Sequence, residues 1–174
     1  ERKQMTEDES QKAIEMVETS DMIYDNVLVV YLPDCHESIA GIIAGRLREK
    51  FYKPVLVITN AEDGAKGSGR SIDGYNMFEE ISKCADLLTK FGGHPMAAGL
   101  SLPIENIDEF RRRLNINQRL TDKELTPVVW IDVPMPVSYV TMELVEQLKV
   151  LEPFGKENEK PIFADKNLVV KSAR

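Results

Sequence analysis

Lys90-Phe91-Gly92-Gly93-His94-Pro95-Met96-Ala97-Ala98-Gly99-Leu100-Ser101-Leu102 is the stretch from which the rest of the chain is read. An apolar helical pattern ends near Phe91 and an apolar, strand-like run begins near Ala98. The Gly-Gly-His between them reads as a polar turn carried on a rigid scaffold, the usual setting of a binding or catalytic loop. Gly92 and Gly93 can take φ > 0 and let a ligand approach bare N–H groups, while Ala97, Ala98 and Gly99 allow close packing behind them. His94 adds a donor or a titratable group. The same residues also admit a plainer use, as a helix C-cap followed by a surface histidine.

On both sides of this stretch the sequence alternates strand and helix patterns. Val27 to Leu32 is a continuous apolar run, and Ser38 to Phe51 places Ile39, Ile43, Leu47 and Phe51 on one helical stripe. After Pro54, Val55 to Thr59 is a second apolar run, so the segment predicts a βαβ unit with parallel strands. Gly41 and Gly45, four residues apart, allow close packing on one side of the helix. His36 stands at the helix start, where it can cap the first turn or lie beside a bound anion. Asn60 to Ala65 reads as a turn, and Lys66-Gly67-Ser68-Gly69-Arg70-Ser71 as a glycine-rich loop. Its hydroxyl, guanidinium and amide donors suit a phosphate.

Asn76 opens a helix with Phe78, Ile81, Ala85 and Leu88 inward, Ala98 to Leu102 is a third strand, and Pro103 opens a helix with Ile107, Phe110 and Leu114 inward. Arg111, Arg112 and Arg113 at its end read as a solvated terminus complementing the dipole. Upstream, Thr6 to Glu9 has the form of a capping box for a helix over 7–20 whose thin stripe (Ala13, Ile14, Val17) suits a connector. Asn115 to Thr126 is polar and aperiodic and marks a boundary. Beyond it Val128 to Val133 predicts a strand, and Thr141 to Leu151 a helix.

The 174 residues, 43% of them hydrophobic, suffice for one good core and part of a second. No apolar run reaches the ~20 residues of a membrane helix, and the first ten residues carry no signal-type apolar segment, so no membrane partner and a cytoplasmic location are expected. Cys35 and Cys84 lack Cys-x-x-Cys spacing and only two histidines occur, which predicts reduced thiols and no metal site in this chain. The net charge of −7 argues against a general nucleic-acid coat. Eight of the acids and only three bases lie in residues 1–26, however, leaving the remainder near neutral and free to carry a local basic cleft.

Four stretches, in order, resemble motifs of one family. Phe-Gly-Gly-His-Pro-Met-Ala-Ala-Gly-Leu is similar to the Gly-Gly-His-x-x-Ala-Ala-Gly signature of the DHH-associated domain in the DHH phosphoesterase superfamily. His36 to Leu47 resembles that domain's His-x-Gly-Val-x-Gly-Ile-Val-Ala-x-Arg-Leu, with Ser38 in place of Gly. Gly67 to Gly74 resembles the Gly-Ser-x-Arg-Ser-x-x-Gly motif of the RecJ family of single-stranded-DNA-specific exonucleases. Leu151 to Phe163 resembles the Leu-Glu-Pro-Phe-Gly-x-Gly-Asn-Pro-x-Pro-x-Phe motif of that family's oligonucleotide-binding domain, with Glu157 and Glu159 replacing Gly and Pro.

The resemblance implies an α/β fold: a small sheet with a βαβ unit and flanking helices over 26–115, preceded by a connector helix over 1–25 from a catalytic DHH domain. An incomplete oligonucleotide-binding (OB) segment follows over 125–174, whose open strand edge could pair with another copy. It implies a 5′-to-3′ exonuclease of DNA repair and recombination, with single-stranded DNA and the chain's own DHH domain as partners. Mn²⁺ or Mg²⁺ would be held on that domain and no cofactor here. Ser68, Gly69, Arg70 and Ser71, with Gly92, Gly93 and His36, would bind phosphate and nucleotide, and His94 would stand at the scissile nucleotide as the catalytic group, sharing one cleft with Arg70. A DHH phosphoesterase acting on short RNA or cyclic dinucleotides is an alternative, as is a non-catalytic nucleic-acid-binding module.

Overall fold

Val27 to Leu32 is apolar at nearly every position, and such a run is stable only as a strand covered on both faces. In the computed structural model, which describes residues 2–155, 157–169 and 172, it forms β1 (Leu28–Tyr31). The helix α2 (Glu37–Phe51) begins at His36, whose Nδ1 accepts the Ser38 N–H at 3.2 Å, and ends at Tyr52 in the left-handed region, φ 49°. β2 (Val55–Ala61) then pairs parallel to β1, from Leu28 opposite Val55 to Tyr31 opposite Ile58, so the expected βαβ unit is present.

Both glycine-rich stretches are strands, not the loop and turn their composition suggested. β3 (Gly64–Arg70) runs back antiparallel to β2; β4 (Lys90–His94) and β5 (Ala97–Leu102) form a hairpin whose β5 lies against β3. The sheet order is β1-β2-β3-β5-β4, which leaves β4 exposed on the edge. Gly67 and Gly69 are needed for packing. A Cβ at Gly67 would lie 3.0 Å from Leu100 Cδ1, and one at Gly69 3.2 Å from Met77 Sδ.

Strand alternation gives the sheet two faces with different covers. On one, Leu28, Val30, Val55 and Val57 pack against Ile39, Ile43 and Leu47 of α2, joined by Ala13 and Val17 of α1 (Arg2–Glu18). Ala13 and Val17 are fully buried, so α1 is docked on a core; the expected capping box is absent because Thr6 lies inside the helix, where its carbonyl accepts from Ser10 Oγ. On the other face, Leu56, Ile58, Leu100 and Leu102 meet α3 (Met77–Ser82) and α4 (Ile107–Asn117) through Met77, Ile81, Phe110 and Leu114. Each fully buried Leu, Ile or Phe contributes roughly 1.5–3 kcal/mol. Cys35 and Cys84 are buried free thiols; burial pushes the Cys35 thiol up to about 11, which makes it a poor nucleophile.

The arginine triplet is not a solvated terminus. Arg111 reaches Asp25 at 2.6 Å and Asp21 at 3.2 Å, Arg113 reaches Asp86 at 2.7 Å, and Arg112 and Arg113 share Glu109 at 2.6 and 2.8 Å. These two guanidiniums hold the Glu109 carboxyl down at about 2 against an ordinary 4.5. A depressed folded-state value means stabilisation that is whole above about 4.5 and lost as pH falls through about 2. Glu109→Gln is therefore expected to be less stable than the parent by a constant amount above pH 4.5, with the gap closing toward pH 2. Urea unfolding at stepped pH measures this; a gap that persists unchanged at about pH 2 would contradict it.

The chain divides into two compact units, Glu1–Pro127 and Val128–Arg174. In the second, the apolar run 128–133 yields only β6 (Val133–Pro134), paired parallel with β7 (Phe163–Ala164), and Trp130 is 83% exposed. α5 (Met142–Leu148) starts at Thr141, whose hydroxyl accepts the Leu144 N–H, and a 3-10 turn extends it to Leu151. Glu157 has φ 67°, so the backbone keeps the glycine-type conformation of the resembled motif, while the Asn158 amide donates to the Leu151 and Pro153 carbonyls. Glu1, Lys156, Val170, Lys171, Ala173 and Arg174, at the ends of the expected connector and OB segment and within the Leu151 to Phe163 motif, lie outside the described residues.

Candidate nucleic-acid interface

Register decides which side chains share the polar face of the sheet. Arg70 of β3 and His94 of β4 both stand opposite Ala97 of β5, so the three form one row. The next row is Ser68, Gly99 and Gly92, and the next Lys66, Ser101 and Lys90. Residues in one row face the same way, and rows two residues apart along antiparallel strands share a face. Arg70 and His94 are thus two strand spacings apart, about 10 Å.

Between the outer rows the surface is nearly bare. A Cβ on Gly92 would meet nothing within 4 Å and one on Gly99 only the Gly67 carbonyl at 3.9 Å. The result is a groove of about 420 Å³ with the β3–β5–β4 face as its floor and Glu37, Ser38 and Ala40 of α2 along one side. Its floor offers Ser68 Oγ and exposed backbone, Lys66 and Lys90 line it, and the Arg70–His94 row continues the same face beyond it, an arrangement that suits an extended polyanion lying across strands.

The Arg70 guanidinium lies over Gly41, where a Cβ would come within 2.9 Å of Nη2; this is the close approach that Gly41 permits. Nη1 donates to the Gly69 carbonyl at 2.7 Å, and among the described residues no carboxylate pairs with Arg70. Its remaining donors are available to an anion. His94 is exposed, and its Nδ1 accepts the Met96 N–H at 3.3 Å, which leaves Nε2 as the outward nitrogen.

The hairpin turn is held from below. Ser71 N–H donates to the Met96 carbonyl at 2.9 Å, Met77 N–H to the Pro95 carbonyl at 2.9 Å, and Ser71 Oγ to the Tyr75 carbonyl at 2.6 Å. Ser71 is fully buried and its hydroxyl is already spent on the Tyr75 carbonyl, so in this structure it positions the turn.

Gly69 and Gly93 likewise face the opposite side, in one row with Ala98. At Gly93, φ 151°, a Cβ would lie 2.6 Å from Ala98 Cα and 2.8 Å from Ala98 Cβ. Its role is packing the edge strand. His36 uses Nδ1 as the α2 cap and sits outside the three rows. Sequence reasoning missed Gly99, Ser101 and Lys90. Their signal is the period-two pairing of Lys66-x-Ser68-x-Arg70 with Lys90-x-Gly92-x-His94, visible once both are read as strands. No group of three or more metal-ligating side chains occurs among the described residues, so the residues present do not fit a divalent metal.

Residues 25–117 match the DHHA1 domain family, and residues 131–174 match the RecJ OB domain. The chain is 39% identical over 178 residues to the single-stranded-DNA-specific exonuclease RecJ of Bacillus subtilis, a match covering 100% of this chain and 22% of that protein. Escherichia coli RecJ is 36% identical over 143 residues, covering 78% of this chain and 25% of that protein. Among solved structures, RecJ of Thermus thermophilus in complex with Mg²⁺ superposes with a TM-score of 0.79 at 26% identity, covering 93% of this chain and 25% of that one. The chain thus spans a quarter or less of the length of these relatives. With more than half of its residues inside the first match and the RecJ OB match following, the chain belongs to the DHHA1 domain family, in the DHHA1–OB arrangement of RecJ proteins.

Proposed function

We propose that this chain is the strand-gripping part of a RecJ-like 5′-to-3′ single-stranded-DNA exonuclease acting in DNA repair and recombination. The observation that carries the reading is the row Arg70–Ala97–His94 beside the bare Ser68–Gly99–Gly92 floor. Arg70 and Ser68 hold a phosphate by charge-assisted and hydroxyl hydrogen bonds. The bare floor admits the sugar-phosphate backbone, and His94 lies one groove width from that phosphate, where it steadies the nucleotide at the scissile bond. A divalent metal, Mn²⁺ or Mg²⁺ on a separate DHH domain, would supply the activated water. The residues here bind and orient, and a cytoplasmic location goes with that substrate. The relatives' names favour DNA over short RNA or cyclic dinucleotides, and the RecJ OB match favours it further. The open edges of the short β6–β7 pair would let the second unit self-associate.

The test is direct. The isolated chain should bind a single-stranded oligonucleotide and leave it intact in Mn²⁺, because it lacks a set of metal ligands among the described residues. Chelator-sensitive degradation by the pure chain would overturn the division of labour, and absence of binding would overturn the reading itself.

A further inference from the structure

The far end of the groove carries a second set of donors that the Arg70–His94 row does not use. Register aligns Thr59 of β2 with Lys66, Ser101 and Lys90 across four strands. Thr59 lines the groove and is fully buried, yet its Oγ1 has no hydrogen-bond partner. Buried hydroxyls are nearly always satisfied, because leaving one unpaired forfeits its hydration without return. Beside it, Lys90 has no carboxylate partner among the described residues, and Lys66 is held at 2.7 Å by Glu37. Four residues along β3 separate Lys66 from Arg70, about 13 Å of strand.

We propose that Thr59, Lys66, Ser101 and Lys90 form a second phosphodiester subsite, which takes a later phosphate of the same strand whose first phosphate sits at Arg70. Lys90 supplies a charge free of competition, and the Ser101 and Thr59 hydroxyls supply neutral donors to the remaining phosphate oxygens. Glu37 sets the strength of the subsite, since its carboxylate competes with the incoming phosphate for Lys66. This inference rests on the strand-binding reading above and adds to it a length dependence. A strand too short to reach from Arg70 to Lys90 gains nothing from the second subsite, whereas one that spans both is held at two points.

The experiment compares a 5′-phosphorylated thymidine dinucleotide with a hexanucleotide on the full chain, with inorganic phosphate as a third probe. Thr59→Val keeps the side chain's shape and removes the unpaired hydroxyl, so it should be at least as stable as the parent. It should weaken the hexanucleotide about three- to tenfold and leave the dinucleotide unchanged. Lys90→Ala should behave in the same way, and Glu37→Gln should tighten the hexanucleotide several-fold. Arg70→Ala should weaken both lengths.

If Thr59→Val, Lys90→Ala and Glu37→Gln all leave the hexanucleotide unchanged while Arg70→Ala weakens it, the second subsite is wrong and the first reading stands. If Arg70→Ala has no effect on either length, the strand-binding reading fails and takes the subsite with it. Inorganic phosphate that competes at Lys90 as strongly as the hexanucleotide would make this a free-phosphate site and overturn the strand contact.

Discussion

Gly93→Val is expected to lower stability by about 2–5 kcal/mol, through backbone strain at a positive φ together with overpacking. The new Cβ would lie 2.6 Å from Ala98 Cα, and Ala98 cannot retreat because β5 is paired on both sides. The strand that must give way is β4, on the sheet edge. Its neighbour provides the control: Gly92→Ala meets nothing within 4 Å and should change stability by under about 1 kcal/mol. Thermal melts of the two variants would show a gap of roughly 10 °C. Equal melting temperatures would mean that β4 is not the paired edge strand described here.

Arg70→Ala is expected to cost about 1.5–3 kcal/mol of single-stranded-DNA binding, a loss of more than tenfold, with the salt slope reduced by about 1. The guanidinium lies over Gly41 without a carboxylate partner among the described residues, so its removal breaks no ion pair of the fold. An effect on binding without an effect on melting temperature is the expected pattern. His94→Ala, in an enzyme that carries the catalytic domain, should instead lower turnover more than affinity, since a group at the scissile nucleotide acts mainly on the transition state. Titration of labelled oligonucleotide at several salt concentrations, with single-turnover rates, separates the two roles. Unchanged affinity in Arg70→Ala would remove the phosphate contact from the account.

The parts of the fold legible in the sequence were those where burial dictates residue type. Val27 to Leu32, Val55 to Ile58 and the Ile39-Ile43-Leu47 stripe announce themselves because the two strands must be apolar on both faces, where a core covers each, and the helical stripe must fill one of those cores. β3 and β4 did not, because β3 contains none of the β-branched and aromatic residues by which strands are usually read and β4 only Phe91. In β3 the inward positions are Ala65, Gly67 and Gly69, the two glycines because Leu100 and Met77 already fill the space, and the outward Lys66 and Ser68 are polar because they line a groove. The strand alternation is present in Lys66 to Arg70 but written in glycine against polar residues. β4 is exposed at every position and shows no apolar alternation at all.

The same strand geometry shapes the site. As a loop, Gly67 to Ser71 would turn all its donors to one spot; as a strand it sends Ser68 and Arg70 to one face of the sheet and Gly69 to the core on the other. Ser71, past the strand end, is buried beneath the hairpin. His94 and Arg70 were identified by type, and only the shared partner Ala97 shows that they stand in one row.

Backbone amide shifts recorded while a short single-stranded oligonucleotide is titrated into the chain test the central claim most directly. Perturbations should concentrate at Ser68, Arg70, Gly92, His94 and Gly99, with the α3–α4 side of the sheet silent. Perturbations gathered on α3 and α4 with the β3–β5–β4 face unmoved would contradict it.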